Sequence, residues 1–437
     1  PDEVIIGDSA DNMCTSGNNP KENYISGIKR CLLDKNWSRE MSFYDEIGDI
    51  QKITFTAPEI CTKIFAFIRE RIQKNCPNEE ITDVVISVPY DYSPDIRNII
   101  AKSASDAGLE VKRLIEEPVA ASFCYGVFNS PLKSNQSENI VVVDFGGGTL
   151  DITAFRFSKN ESNIINIETL ATSGNSKLGG IDITNIIKNH FVERLSTPLD
   201  NKNDLEVFKY FNNDVKPVIS EFISDNETYE IFFEGMHGEF IEDELSLKQF
   251  RELLEENGVF EKLRQSLDEC VTISGIDRSE YDKIILAGGT CKIMCIQNYL
   301  EEYFGKKPFS PQSNDIFELV GVGAGLYCQS LSDNEFKYNI IEKVKYSIGV
   351  IADNKFTALT ESNSDYDTMH FQKFLYNTND GRTSGEDIIE IYQCPDGISD
   401  VSRCRKIGYI AIKLEDFPCG SIEISLQIKN HDILYGL

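Results

Sequence analysis

Residues 139–157, NIVVVDFGGGTLDITAFRF, limit the folds open to this chain more than any other stretch. The apolar, β-branched flanks have the pattern of buried strands, and three successive glycines supply the turn between them. Glycine admits positive φ and lets a backbone approach a ligand closely. Successive amides in such a turn form a nest that binds anions. Asp144 and Asp151 flank the loop, and Thr149 adds a hydroxyl donor. Two carboxylates so placed can hold Mg²⁺ through its waters, because Mg²⁺ keeps most of its hydration and takes few protein ligands. The loop reads as a phosphate cradle with a metal side.

The surrounding sequence alternates buried strands with crossover helices, which makes the class α/β. Residues 58–75 form a helix opened by Pro58, with Ile60, Ile64, Phe67, Ile68 and Ile72 at helical spacing. A strand over 83–88, a helix over 94–107 ended by Gly108, and a strand over 111–115 lead to Glu116-Glu117-Pro118 and a further helix. Helices are expected over 181–195, over 204–224 (broken by Pro217), over 246–273 and over 321–330. Strands are expected over 228–233 and 283–289, the second followed by a helix to about Tyr303. After about residue 335 the helical period fades. Six alternating segments separated by Asp, Asn, Gly and Pro clusters follow, the pattern of antiparallel strands. The expected organisation is a nucleotide-binding domain over 1–334, a linker over 335–344 and a β domain over 345–437.

Charge narrows the partners. Lys and Arg total 43 against 71 Asp and Glu, a formal net charge of −28. Such a chain repels phosphate backbones, so no nucleic-acid partner is expected. No apolar run approaches the ~20 residues that cross a bilayer, and no charged-then-apolar signal segment opens the chain, so no membrane partner is expected. The twelve cysteines are scattered without a CxxC pair and read mostly as reduced, buried, small hydrophobes. Cys291 and Cys295 stand four apart, but the four histidines do not complete a zinc site. A cytoplasmic address is the expectation, with an organelle or secretory lumen left open because the chain starts at Pro1 without Met.

Three other places suit a nucleotide. Leu178-Gly179-Gly180-Ile181-Asp182 opens a helix with glycines, where helix-end amides can meet phosphate. Ala287-Gly288-Gly289-Thr290 ends a strand and starts a helix. Lys216 and Ser220 share one helix face, which suits a sugar or base edge and equally a solvated surface. The GxxxxGK[ST] and GxGxxG patterns are both missing.

DVVISVPYDYSPDIRNIIAKSASDAGLEVKRLIEEPVAASFCYG, VVVDFGGGTLDIT, KLGGID and IILAGGTCKI resemble, in order and spacing, the ATPase domain of the DnaK-type 70-kDa heat-shock chaperones. The opening IIGDSADNM…GIKRCL is similar to the segment just after that family's first strands, and the tail from YSIGV to NHDILYG looks like its peptide-binding domain. The fold implied is α/β: an actin-like two-lobed ATPase domain, N-terminally truncated, followed by an antiparallel β-sandwich domain. The resemblance implies ATP or ADP with Mg²⁺ as cofactors. Asp144 and Asp151 would hold the metal's waters. Gly146, Gly147, Gly148 and Thr149 would cradle the β- and γ-phosphates. Glu117 would lie near the attacking water, and Lys35, in IKRCLLDK, would stand beside the γ-phosphate. Gly179 and Gly180 would lie near the phosphates and ribose, and Lys216, Ser220, Gly288, Gly289 and Lys292 would enclose ribose and adenine. Pro89 and Arg97 would couple nucleotide state to the peptide domain. Val350, Phe356 and Leu375 match apolar peptide-contact positions, or are sandwich core.

Departures accompany the resemblance. The family's first strand, first phosphate loop and helical lid have no counterpart in this sequence. Asn213, Pro217, Cys291 and Lys292 replace the usual acid, Arg, Thr and Arg, and Phe317, or Asp315 after a small shift, occupies a usual Asp. Lysine lacks the planar stacking surface of arginine. Asn339-Ile340-Ile341-Glu342 only partly matches the apolar linker, and Asp387 falls at a central pocket Val. The function implied is an ATP-dependent folding chaperone active in stress response. It would hydrolyse ATP between two lobes to control binding of unfolded or extended peptides, with J-domain and nucleotide-exchange co-chaperones as partners. The alternative is a divergent pseudo-ATPase, a non-catalytic regulatory partner of an active chaperone.

Overall fold

The computed structural model describes residues 5–15, 23–44, 47, 49–80, 82–90, 92–129, 132–162, 164–192, 228–234, 240–309, 316, 318–332, 338–341, 347–352, 355–360, 372–377, 385–394, 401, 404–413, 421–429 and 432–436. It divides into two compact units. The first comprises Pro1–Ser130, Asn139–Thr153 and Ser173–Asn334, and the second Pro131–Glu138, Ala154–Thr172 and Glu335–Leu437.

In the first unit, strands Asp83–Val88 and Glu110–Glu116 pair in parallel. The Pro94–Asp106 helix is their crossover, as a parallel pair requires. Helix Ala57–Asn75 begins where Thr56 and Glu59 form a capping box, which satisfies donors that the first turn leaves open. It packs on the crossover helix. Leu32, Ala57, Cys61, Val88, Tyr92, Ile96 and Ile100 close into one buried cluster. The predicted apolar stripe of the Ala57–Asn75 helix is only partly buried, since Ile68 and Ile72 remain exposed.

The glycine loop joins Gln136–Phe145 to Leu150–Lys159, as expected. Ile140, Val142, Val143 and Phe145 are fully buried, which explains the unbroken apolar run. Lys283–Ala287 lies parallel to Ile140–Asp144 and delivers the Gly288–Lys292 turn beside the loop. Five strands follow the order Lys283–Ala287, Gln136–Phe145, Leu150–Lys159, Ile165–Asn175, Tyr338–Ile341. Helices Glu117–Asn129 and Leu319–Ser332 pack together, with Phe123 and Tyr327 edge to face at 5.6 Å. No described helix is long and apolar enough to cross a membrane.

The second unit carries the β-rich tail. Lys355–Thr360, Ser347–Ala352, Glu386–Cys394 and Arg405–Lys413 form an antiparallel sheet in that order, and Gln372–Asn377, Ser421–Lys429 and Asp432–Gly436 form another. Ile389 and Ile391 lie buried on one face of the first sheet, while Ile388 and Glu390 take the other, the period-two alternation read from the sequence.

Several segments depart from expectation. Within 335–344, expected as a linker, Tyr338–Ile341 is a strand parallel to Ile165–Glu168. Four residues are too few to show a period, and here strand pairing outweighs a polar composition. Ser38–Tyr44 and Ile50–Thr56 form a hairpin that no apolar pattern announced. The Ile165–Asn175 strand, which is not among the elements expected from the sequence, buries Ile165, Ile167, Thr169, Ala171 and Ser173 in alternation. Cys394 and Cys404 are disulfide-bonded, so the reduced reading does not hold for that pair; Cys31, Cys61, Cys76, Cys124, Cys270, Cys291, Cys295 and Cys328 are free. The expected 204–224 helix lies outside the described residues, as do Asn213, Lys216, Pro217, Ser220, Asp315 and Phe317.

Candidate functional site

The glycine loop is anchored through its carbonyls. Gly146 O accepts from Gly180 N at 3.0 Å and from Thr290 Oγ1 at 2.9 Å. Gly147 O accepts from Ile181 N at 2.9 Å, and Gly148 O from Arg30 at 2.7 Å. In a planar trans peptide the N–H points opposite to its own carbonyl. Tying back these three oxygens therefore turns the amides of Gly147, Gly148 and Thr149 to the other side. What the loop offers a ligand is a row of N–H donors, the chemistry of an anion nest.

Glycine is required for this closeness. A Cβ on Gly179 would stand 2.6 Å from Gly147 O, and one on Gly288 would stand 2.5 Å from Phe145 O and 2.7 Å from Asp144 Oδ1. Gly288 also has φ of +79°, which few other residues adopt. Gly180 opens the Gly180–Val192 helix, and Gly289 opens the turn that carries Thr290, Cys291 and Lys292. Thr149 O accepts from Gly146 N at 3.0 Å and closes the turn.

The acids gather beside the loop. Asp144 and Asp151 each lie one residue inside the loop-facing ends of the two strands and are buried. Glu117 opens its helix next to the end of the Glu110–Glu116 strand. Lys29 Nζ donates to Glu117 Oε1 at 2.5 Å. Burial alone would lower the Lys29 pKa, but Glu117, with Asp144 and Asp151 beyond it, holds it above its ordinary value. Burial, reinforced by the Glu117 carboxylate and opposed by Lys29, pushes the Asp144 carboxyl up to about 7. A buried acid that resists ionisation beside a second carboxylate is a fit place for a cation, which would reverse that shift.

Lys35, expected beside the phosphates, lies elsewhere: its Nζ meets Asp95 Oδ2 at 2.7 Å on an exposed surface. Lys29 is the lysine brought to the acids. Ile28, Cys31 and Leu32 face the core of the first unit, so the turn directs Lys29 and Arg30 away from it. That signal was present in IKRCLL as apolar positions one, four and five. Tyr92 Oη donates to Lys29 O at 2.9 Å and fixes the turn.

The other expected residues are placed as follows. Pro89 is buried, and its carbonyl accepts from Tyr92 N at 3.3 Å. Arg97 is buried with Glu116 at 2.8 Å and donates to Tyr92 O at 3.0 Å. Lys292 is half-buried on the Gly289–Lys292 turn. Cys291 donates its thiol to Val143 O at 3.4 Å behind the loop. Val350 and Phe356 are half-buried in the sheet that contains Glu386–Cys394, whereas Leu375 belongs to the other sheet. Among the described residues no group of three or more His, Cys, Asp or Glu side chains forms a ready metal cage.

A glycine loop fixed by its carbonyls, acids near its two strand ends and a lysine across from them belong to an α/β architecture that is followed by β sheets. The family model described as Hsp70 protein matches residues 37–434, and the chain belongs to the Hsp70 family. Its fold is accordingly the family's actin-like ATPase fold with a β-rich C-terminal part. It is 28% identical over 319 residues to the "Chaperone protein DnaK" of Elusimicrobium minutum, covering 71% of this chain and 50% of that protein. It is 28% identical over 382 residues to the "Chaperone protein DnaK" of Methanothermobacter thermautotrophicus, covering 85% and 59%. The chain thus spans about half to three-fifths of the length of these curated relatives.

Proposed function

We propose that this chain binds Mg·ATP and Mg·ADP at the glycine loop and hydrolyses ATP to control the binding of extended peptides, as a chaperone. One observation carries the reading: Lys29 and Glu117 meet beside Asp144 and Asp151, at the edge of a loop whose amides point outward. The loop amides would hold the phosphate oxygens. Lys29 would offset negative charge as it develops, and Glu117 would orient a water for attack. Asp144 and Asp151 would hold the waters of Mg²⁺, which supplies charge neutralisation on the phosphates. Such catalysis works by positioning and electrostatics and needs no nucleophilic side chain. Unfolded segments, J-domain proteins and exchange factors are the partners this reading predicts, in a cytoplasmic setting.

Lys292 in place of a stacking guanidinium favours a second reading, in which the purine is held weakly and the protein regulates an active chaperone without turnover. Titration calorimetry with Mg·ATP and Mg·ADP, followed by single-turnover hydrolysis, separates the two. Micromolar binding with hydrolysis is the expected result. Binding without hydrolysis favours the regulatory reading, and absence of binding by the folded chain overturns the first.

A further inference from the structure

We infer that Arg30 is a positioning residue that aims the Thr149 amide and clasps the loop to the 27–31 turn, thereby setting how fast bound nucleotide leaves. The inference rests on the nucleotide reading above. Arg30 joins three stretches that are distant in sequence. Its Nε and Nη2 donate to Gly148 O at 3.2 and 2.7 Å, and its Nη1 and Nη2 donate to Asp182 Oδ1 and Oδ2 at 3.3 and 2.6 Å. Asp182 Oδ2 also accepts from Gly179 N at 2.8 Å. One carboxylate therefore fixes both the guanidinium and the start of the Gly180–Val192 helix.

Gly148 O shares its peptide unit with Thr149 N–H. Gly146 O accepts from Gly180 N as well as Thr290 Oγ1, and Gly147 O from Ile181 N, whereas the donors to Gly148 O come from the Arg30 side chain. Gly146 O and Gly147 O keep their backbone partners whatever residue stands at 30. The aim of the third amide depends on Arg30. A planar fork reaches Gly148 O and both Asp182 oxygens together, which the single ammonium of lysine does not. The Arg30 and Asp182 side chains are 28% and 30% exposed, so salt screens the pair and the clasp can open.

The test is release of a fluorescent ADP from the full chain with Mg²⁺, chased with unlabelled ADP, alongside single-turnover hydrolysis. Arg30→Ala should release ADP about fivefold faster or more, with a smaller change in the hydrolysis step. Asp182→Asn should do the same. The double variant should be no faster than the faster single one, because both act on one contact. Arg30→Lys should behave like Arg30→Ala. Added salt should speed release from the parent chain more than from Arg30→Ala. Binding by the parent chain with release unchanged in Arg30→Ala overturns the inference and leaves the nucleotide reading intact. A parent chain that binds no Mg·ADP overturns both, and its titration alone distinguishes the cases.

Discussion

At the scale of single residues, Asp144 sets the pH dependence of the ligand-free site. Its folded pKa, about 7, lies above the ordinary carboxylate value because burial and Glu117 disfavour its charge. The folded state therefore binds more protons than the unfolded chain between roughly pH 4 and pH 7. Its contribution to stability is complete below the unfolded pKa and falls as pH rises through the folded one. Asp144→Asn removes this dependence. Denaturant unfolding without nucleotide should find the variant more stable by about 4 kcal/mol near pH 7.5 and flatter across that window. The same variant should lose Mg²⁺-dependent nucleotide binding. A variant less stable than the parent at high pH would show that Asp144 is ionised and satisfied. The two lysines give a second test. Lys29→Gln should slow single-turnover hydrolysis about a hundredfold or more, whereas Lys35→Ala, an exposed pair with Asp95, should stay within about twofold. Equal losses would return the role to Lys35. The acids and glycines were legible because residue type and spacing carry their chemistry. The choice between two lysines six residues apart depended on which side of one turn faces the core.

At the scale of elements, the seam between helices Glu117–Asn129 and Leu319–Ser332 is where packing reaches the site. A Cβ on Gly323 would stand 1.8 Å from Ala120 O, so the two backbones are in direct contact. Ala120 lies one turn from Glu117. Gly323→Ala must spread the helices and should cost about 2–4 kcal/mol in denaturant unfolding, with hydrolysis reduced as Glu117 moves. Gly325, with nothing within 4 Å of its Cβ position, is the control, and Gly325→Ala should stabilise the helix slightly, by about 0.5 kcal/mol. Equal effects at the two positions would mean that the helices slide apart freely. GVGAGLYCQS announced a small-residue helix, but composition does not say which glycine meets a neighbour. The same limit governs the strands. Continuous apolar runs such as Ile140–Val143 and Ile284–Ala287 identify themselves. Ile165–Asn175 buries Thr169 and Ser173, and Tyr338–Ile341 is held by a parallel partner some 170 residues earlier, so tertiary pairing decides both.

At the scale of the whole molecule, the proposed nucleotide site would have to draw an anion to a chain of net charge −28. Mg·ATP carries a net charge of about −2, so the long-range field opposes its approach even though the loop amides, Lys29 and Arg30 favour its final contacts. The two terms have different ranges. The Debye length falls from about 30 Å at 10 mM salt to about 8 Å at 150 mM, which removes repulsion by distant carboxylates before it weakens contacts within a few ångströms. The association rate of a fluorescent Mg·ATP analogue, followed by stopped flow, should therefore rise with salt over that range, by about threefold, while the dissociation rate rises through loss of the Arg30 clasp. A basic nucleotide site on a neutral protein would show the opposite trend in association. Association slowing with salt in this chain would mean that Lys29, Arg30 and Lys292 dominate the field at the mouth, and that the surplus acids lie on surfaces remote from the loop.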